Sequence, residues 1–415
     1  MLWLFIRKLS DSGGAFIAPF KGTTPLALLV SDAVICAYAR TPFGKFRGAL
    51  SSYSATDLGT LAVKGLLERI GIDPSSGIID QLYMGNVLQA GVGQAPARQV
   101  ALSSGLPYST PCTTINKVCG SSLKAAMIGA TEIMAGRANV IIAGGMESMS
   151  NAPHFIRSAR RGVEISYADL DSVLSHDGLK DAYDGSMMGI TGENIANEAG
   201  ITRAVSDEYA LRSHTLANKA WNEGWFSEEC ISMDELDRDE GIRPNTTAEG
   251  LAELRTVFKQ DGQVTAGNAS QVSDGASAIL IASLEVATNN GWPILARIVD
   301  FTTSGVEPHR VMSAPIPAIE SLLERNSLDI SDIDILEHNE AFAVASCAIQ
   351  NAFNFPDEGF NPNGGAVAVG HPLGATGTRC LMTLTKTLIR TDRNRGIVAI
   401  CLGGGNAVSM LIERN

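Results

Sequence analysis

Two spacings of apolar residues alternate along the chain. Short continuous apolar runs at 33–38, 140–143, 278–282 and 397–402 predict buried strands. Between them, apolar positions recur every three or four residues, the period of helices that bury one face; two such stretches follow Cys119 and His371. This alternation predicts layered α/β architecture. From about Ser148 to Gln271 the texture changes to charged and small residues, with Trp221, Trp225 and an acidic run over 234–240. That segment reads as an insertion into the first α/β unit.

A faint internal repeat links the two ends of the chain. Leu66-Leu67-Glu68-Arg69, with Ile72-Asp73, Ser75, Ile79-Asp80 and Leu82 behind it, matches Leu322-Leu323-Glu324-Arg325, followed by Leu328-Asp329, Ser331, Ile333-Asp334 and Leu336. A similar offset relates Cys119 and its helical stretch, which leads to Ile142-Ala143-Gly144-Gly145, to His371 and a stretch that leads to Cys401-Leu402-Gly403-Gly404. Repeats that long are whole domains. The expected division is an N-terminal extension (1–31), an N-terminal unit (32–148 and 273–293), an inserted loop domain (149–272) and a C-terminal unit (294–415).

Composition narrows the function. With 32 basic and 44 acidic residues, a net charge of −12, the chain lacks the basic surplus of nucleic-acid binders. The 7 cysteines are odd in number and irregularly spaced, so neither a disulfide framework nor a metal site is expected. The longest apolar stretch, 25–39, is broken by Asp32, and no membrane span is expected. A cytoplasmic protein is the simplest expectation. The alternative is a mitochondrial one, with the first residues, which carry Arg7, Lys8 and Lys21 against Asp11, acting as a presequence. Glycine, at 42 of 415, is in surplus and calls for places where backbone must approach closely.

Four motifs carry candidate chemistry. In Asn116-Lys117-Val118-Cys119-Gly120-Ser121-Ser122 the cysteine opens a helical stretch, where the positive helix end favours thiolate. His371 lies among five glycines between Gly364 and Gly377 and, if the halves are related by a twofold, occupies the position equivalent to Cys119. A cysteine and a histidine meeting there form an activated nucleophile for acyl transfer. Cys401 ends an apolar strand before Gly403-Gly404-Gly405, whose free N–H groups suit an oxyanion while the thiol can exchange a proton. Glu337-His338-Asn339-Glu340 places an amide able to hold a water or a carbonyl between a strand and a helix. Each motif alone has a plainer reading: a buried small side chain, a histidine bonded to its own loop, a helix cap.

Together, in this order, the motifs resemble the thiolase family. The strings 116–126, 144–150, 264–270 and Gly370-His371-Pro372 resemble in particular its biosynthetic acetyl-CoA acetyltransferase branch, over about Asp32 to Arg414. The resemblance implies duplicated α/β/α halves in five layers with an inserted loop domain. It implies that His371 activates Cys119, which is acetylated by acetyl-CoA, and that Cys401 deprotonates a second acetyl-CoA. His371, with a water on Asn339, would form one oxyanion hole; the N–H groups of Cys119 and Gly403 would form the other. By the same resemblance Arg243 would meet the adenine side of coenzyme A, Ser270 the pantetheine, and Leu179, Met188, Phe258, Met312 and Phe342 would form apolar walls. Coenzyme A thioesters would then be substrate and product with no permanently bound cofactor, and the assembly a dimer of dimers.

One residue departs from the pattern. Met187 stands where short-chain members usually carry histidine, which bears on acyl-chain preference. Three alternatives remain: a degradative 3-ketoacyl-CoA thiolase, a ketoacyl synthase, and an inactive CoA- or lipid-binding relative. Cys119-Gly120-Ser121-Ser122, rather than Cys-Ser-Ser-Gly, speaks against the first, and Cys401 against the second.

Overall fold

The computed structural model describes residues 31–157 and 170–414. The extension expected over 1–31 therefore lies, except for Ser31, outside the described residues. The strands are β1 (Ala33–Arg40), β2 (Gly44–Lys45), β3 (Gln81–Gly85), β4 (Cys112–Ile115), β5 (Val140–Ser148), β6 (His154–Phe155), β7 (Asp171–Ser172), β8 (Ser273–Ser283), β9 (Ala296–Gly305), β10 (Ile335–His338), β11 (Arg395–Leu402) and β12 (Asn406–Glu413). The longer helices are α1 (Ala55–Ile70), α2 (Pro96–Ser103), α3 (Ser121–Met134), α4 (Met188–Ala199), α5 (Arg203–Asn222), α6 (Pro315–Asn326), α7 (Ala343–Phe353) and α8 (Thr376–Arg390).

Local signals place these elements where the apolar pattern does. Helix α1 begins at a capping box, Ser54 with Asp57, and ends at left-handed Gly71 (φ 73°), the conformation glycine adopts without strain. Between them Leu58, Ala62 and Leu66 bury one face at four-residue spacing. Strands β5 and β8 are buried along their whole length because helices cover both faces, so they read as unbroken apolar runs rather than alternations.

The strand order is β10-β11-β12-β9-β1-β8-β5-β3-β4, with β2 beside β8. Within it the path β1-β8-β5-β3 is repeated as β9-β12-β11-β10, and the two copies touch edge to edge where Ala33–Ile35 pairs with Ala296–Ile298. The sequence repeat is thus a structural one. Leu66-Leu67-Glu68-Arg69 and Leu322-Leu323-Glu324-Arg325 close α1 and α6 before left-handed Gly71 and Ser327. Asp80 accepts from the N–H groups of Asn139 and Val140 at 2.6 and 3.0 Å; its counterpart Asp334 accepts from Asn394 and Arg395, both at 2.9 Å. The same carboxylate starts β5 in one half and β11 in the other.

The two wings of the sheet fold around α3 and α8, which pack on each other. Leu123, Met127 and Ile133 of α3 and Leu381, Leu384 and Leu388 of α8 share one core with Ile279 and Ile281 of the first wing and Val398 and Ile400 of the second. Helices α1 and α2 cover the outer face of the first wing; α6 and α7 cover that of the second. Five layers result, as the resemblance implies, but the two sheets are continuous through β1 and β9.

The insertion is less independent than its sequence texture suggests. Ile195, Ala196, Tyr209 and Ala210 belong to the outer core of the C-terminal wing, and Leu236 to that of the N-terminal wing. Fully buried Arg40 on β1 pairs with Glu229 at 3.0 Å and Asp239 at 2.7 Å. The segment therefore clamps both halves.

Candidate active site

Cys119 stands at the head of α3, just after β4. Val118 has φ 46°, a left-handed conformation that costs a β-branched residue on the order of 1–3 kcal/mol. Four hydrogen bonds hold it: Val118 N to Asn116 Oδ1 (3.0 Å), Gly120 N to Lys117 O (3.0 Å), Ser121 Oγ to Val118 O (2.6 Å) and Lys117 N to Ser121 Oγ (2.8 Å). A Cβ on Gly120 would lie 2.5 Å from Leu402 Cδ2 and 2.8 Å from Val408 Cγ2. Glycine here lets the start of α3 press against β11 and β12, which brings Cys119 to Cys401 and Gly403.

The expectation of a thiolate at this helix end needs correction. Burial pushes the Cys119 thiol well above its ordinary value, and nearby Cys401 adds to the rise. The N–H groups of Gly403 and of Cys119 itself pull the other way without overcoming it. The resting nucleophile is a thiol, with the N–H groups of Gly403 and of Cys119 beside its sulfur.

His371 sits on the loop that enters α8. Its N–H donates to Gln271 O at 3.0 Å, and its Nδ1 lies 2.7 Å from Thr376 Oγ1. The Thr376 hydroxyl spends its hydrogen on Pro372 O at 3.0 Å, so it accepts from Nδ1–H. The lone pair then resides on Nε2, which has no protein partner among the described residues. Burial, aided by the Arg379 charge, lowers the ring to about 3, so the imidazole is neutral. Thr376 is the orienting residue that sequence reasoning missed; its position five residues beyond His371 at a helix start was the available signal.

Glu147, also unassigned from sequence, fixes this loop from behind. Its buried carboxylate accepts from Asn86 Nδ2 (2.8 Å), Val87 N (3.1 Å), Leu88 N (3.0 Å) and Gly374 N (2.9 Å). Desolvation raises it to about 7 against the pull of those donors. Much of the glycine surplus belongs here: a Cβ on Gly145 would stand 1.8 Å from Gly374 O.

Cys401 ends β11 fully within the core, and burial pushes its thiol up to about 12. Asn339 accepts from Cys401 N at 3.1 Å and from its Sγ at 3.4 Å, and donates to Cys401 O at 3.2 Å. Asn339 does not itself line the pocket. Its amide holds the second cysteine from behind, where the sequence suggested a direct water or carbonyl ligand.

Cys119, His371, Cys401 and Gly403 all line one narrow pocket of about 60 Å³. Of the coenzyme A candidates, Leu179, Met188, Ser270, Met312 and Phe342 line it too. Phe258 stands behind Phe342, edge to face at 6.3 Å between ring centres. Arg243 is exposed on a turn outside the pocket, and Met187 precedes α4 without lining it. Val311, Ala341, Leu373 and Leu402 complete the apolar wall; nothing in the sequence distinguished them from ordinary core. Among the described residues no cluster has the makings of a metal site, and no helix is long and apolar enough to cross a membrane.

A neutral imidazole, two thiols and converging N–H donors on duplicated α/β halves define a protein built for cysteine-centred acyl chemistry. The chain belongs to the thiolase family: the thiolase N-terminal domain matches residues 33–285 and the thiolase C-terminal domain residues 292–414. Two proteins of Escherichia coli (strain K12) are among its relatives. A probable acetyl-CoA acetyltransferase is 41% identical over 93% of this chain and 100% of its own, and an acetyl-CoA acetyltransferase is 43% identical with the same coverage. Among solved structures, human mitochondrial 3-ketoacyl-CoA thiolase in complex with CoA is similar with a TM-score of 0.89 and 37% identity, over 93% of this chain and 99% of that one.

Proposed function

We propose that the protein is an acetyl-CoA C-acetyltransferase that condenses two acetyl-CoA to acetoacetyl-CoA and CoA, and runs in reverse as a thiolase. The observation that carries this reading is the convergence of Cys119, His371, Cys401 and the Gly403 N–H on one narrow apolar pocket.

His371 Nε2 takes the Cys119 proton as the sulfur attacks the thioester carbonyl. The Cys119 and Gly403 N–H groups stabilise the oxyanion, a contribution on the order of 3 kcal/mol per donor. CoA leaves as a thiolate. Cys401, a thiol at rest, cannot act as a base until it has lost its proton, and the departing thiolate is the nearest strong acceptor. Cys401 thiolate then takes a methyl proton from the second acetyl-CoA. The enolate, held by the Nε2–H of His371, attacks the acetyl group on Cys119 and forms the new carbon–carbon bond of a Claisen condensation, while the bond from the acetyl carbon to Cys119 Sγ breaks and the freed sulfur takes its proton back from His371.

Coenzyme A thioesters enter and leave, with no resident cofactor; Ser270 and the apolar wall take the pantetheine and Arg243 the adenine end. A dimer of dimers in the cytoplasm, serving lipid metabolism, completes the proposal, with mitochondria the alternative if residues 1–31 direct import. Light scattering and a fluorescent fusion of those residues test these two points.

A degradative thiolase of broader chain length is the second reading, favoured by the likeness to the human 3-ketoacyl-CoA thiolase and by Met187. Initial thiolysis rates across 3-ketoacyl-CoA chain lengths separate the two. Acetoacetyl-CoA is expected to react fastest, and a faster medium-chain substrate replaces the first reading with the second.

A further inference from the structure

Between the central helices and the second wing lie charged groups that take no part in the proposed proton and acyl transfers. Arg379 on α8 and Glu337 on β10 are both fully buried, with 3.9 Å between Nη1 and Oε2. That is too long for a hydrogen bond. Among the described residues, Nε, Nη1 and Nη2 of Arg379 and both carboxylate oxygens of Glu337 have no protein partner. The hydroxyl of buried Thr383, one turn beyond Arg379, has none either. Its neighbours Thr385 and Thr387 each donate to the carbonyl four residues back, at 2.8 and 2.7 Å. Thr383 instead turns toward Glu229, whose carboxylate is engaged by Arg40 at 3.0 Å.

Unsatisfied buried charges cost several kcal/mol each, far more than a protein of ordinary stability retains without return. Each group here also needs something different. The guanidinium requires acceptors, the carboxylate requires donors, and the hydroxyl takes either. Water supplies both, and one molecule spans a 3.9 Å gap with two ordinary hydrogen bonds. An anion would face the Glu337 and Glu229 carboxylates, and a cation would face Arg379.

We propose that Arg379, Glu337 and Thr383 form an internal binding site for ordered water, and that this water-bridged pair is a positioning device for the active site. Glu337 lies two residues before Asn339 on β10, and Arg379 eight residues after His371, with α8 packed on β10. The bridge therefore ties the segment that holds Cys401 to the segment that presents His371. This positioning role rests on the acyl-transfer reading; the water site does not.

The test has two arms. A crystal structure of the full chain at about 1.5 Å, with bromide soaks as control, is expected to show ordered water bonded to both Arg379 and Glu337. A direct bidentate pair without water, or an anomalous bromide peak between them, overturns the site. In the second arm, a water-bridged pair tolerates Arg379→Lys, because water refits to the shorter donor, whereas a direct fork-to-fork pair does not. Arg379→Lys is expected to keep kcat within about 3-fold of wild type, and Arg379→Met to lower kcat by 10-fold or more at unchanged KM. If Arg379→Met does not fold, Arg379→Lys decides: a loss of 10-fold or more overturns the water-bridged device, as does a folded Arg379→Met with wild-type kcat. Acetyl trapping on Cys119 in the wild type shows separately whether the acyl-transfer reading holds.

Discussion

Replacing Thr376 by valine removes the acceptor that fixes the His371 tautomer while keeping the side chain's shape. In the structure Nδ1 is 2.7 Å from Thr376 Oγ1 inside the core, so the variant leaves a buried N–H without a partner. That costs about 1–3 kcal/mol. The ring escapes the cost by moving its proton to Nε2, which removes the base from the pocket. At about 1.4 kcal/mol per factor of ten, Cys119 acetylation slows by about 5- to 150-fold. The assay is rapid-quench mass spectrometry of the acetyl adduct in Thr376→Val, with Thr376→Ser as the control that restores the hydroxyl and most of the rate. Thr376→Val acetylated within 2-fold of wild type refutes the tautomer assignment.

Further expectations follow from the same geometry. Because burial holds Cys119 high and His371 low, at about 3, the resting pair is uncharged. Its imidazole stays neutral as pH falls through the ordinary histidine range near 6.5. Alkylation of Cys119 by iodoacetamide should therefore rise with pH and show no thiolate plateau between pH 5 and 8; a plateau there means an ion pair instead. Gly120→Ala forces a Cβ to within 2.5 Å of Leu402 and should cost about 1–3 kcal/mol by chemical denaturation, with acetylation impaired. Wild-type stability with full activity would show that the close approach is not required. Asn339→Ala removes the bonds to Cys401 N and Sγ and should impair condensation more than acetylation, and equal losses contradict its placement behind the second cysteine.

The layers were legible in the sequence because each strand buried on both faces leaves an uninterrupted apolar run, and because Leu66 to Arg69 and Leu322 to Arg325 repeat. The edge-to-edge meeting of β1 and β9 was not, since three residue pairs leave no pattern of their own. Cys119 stood out at the head of a helical stretch, and His371 and Cys401 stood out beside runs of glycine. Thr376 and Glu147 did not, although both position the histidine loop: a threonine at a helix start and an acid after a strand are ordinary residues until their partners are known. The ionisation of Cys119 was misjudged for a related reason. A helix end is visible in sequence, whereas the desolvation that outweighs it depends on distant segments closing over the sulfur.

The central claim is that Cys119 carries the acyl group while Cys401 serves the carbon–carbon step. Incubating wild type, Cys119→Ala and Cys401→Ala with radiolabelled acetyl-CoA and mapping the labelled peptide tests it directly. Label on Cys119 in the wild type and in Cys401→Ala, none in Cys119→Ala, and acetoacetyl-CoA from the wild type alone is the expected result. Equal labelling of Cys119→Ala and wild type contradicts the account.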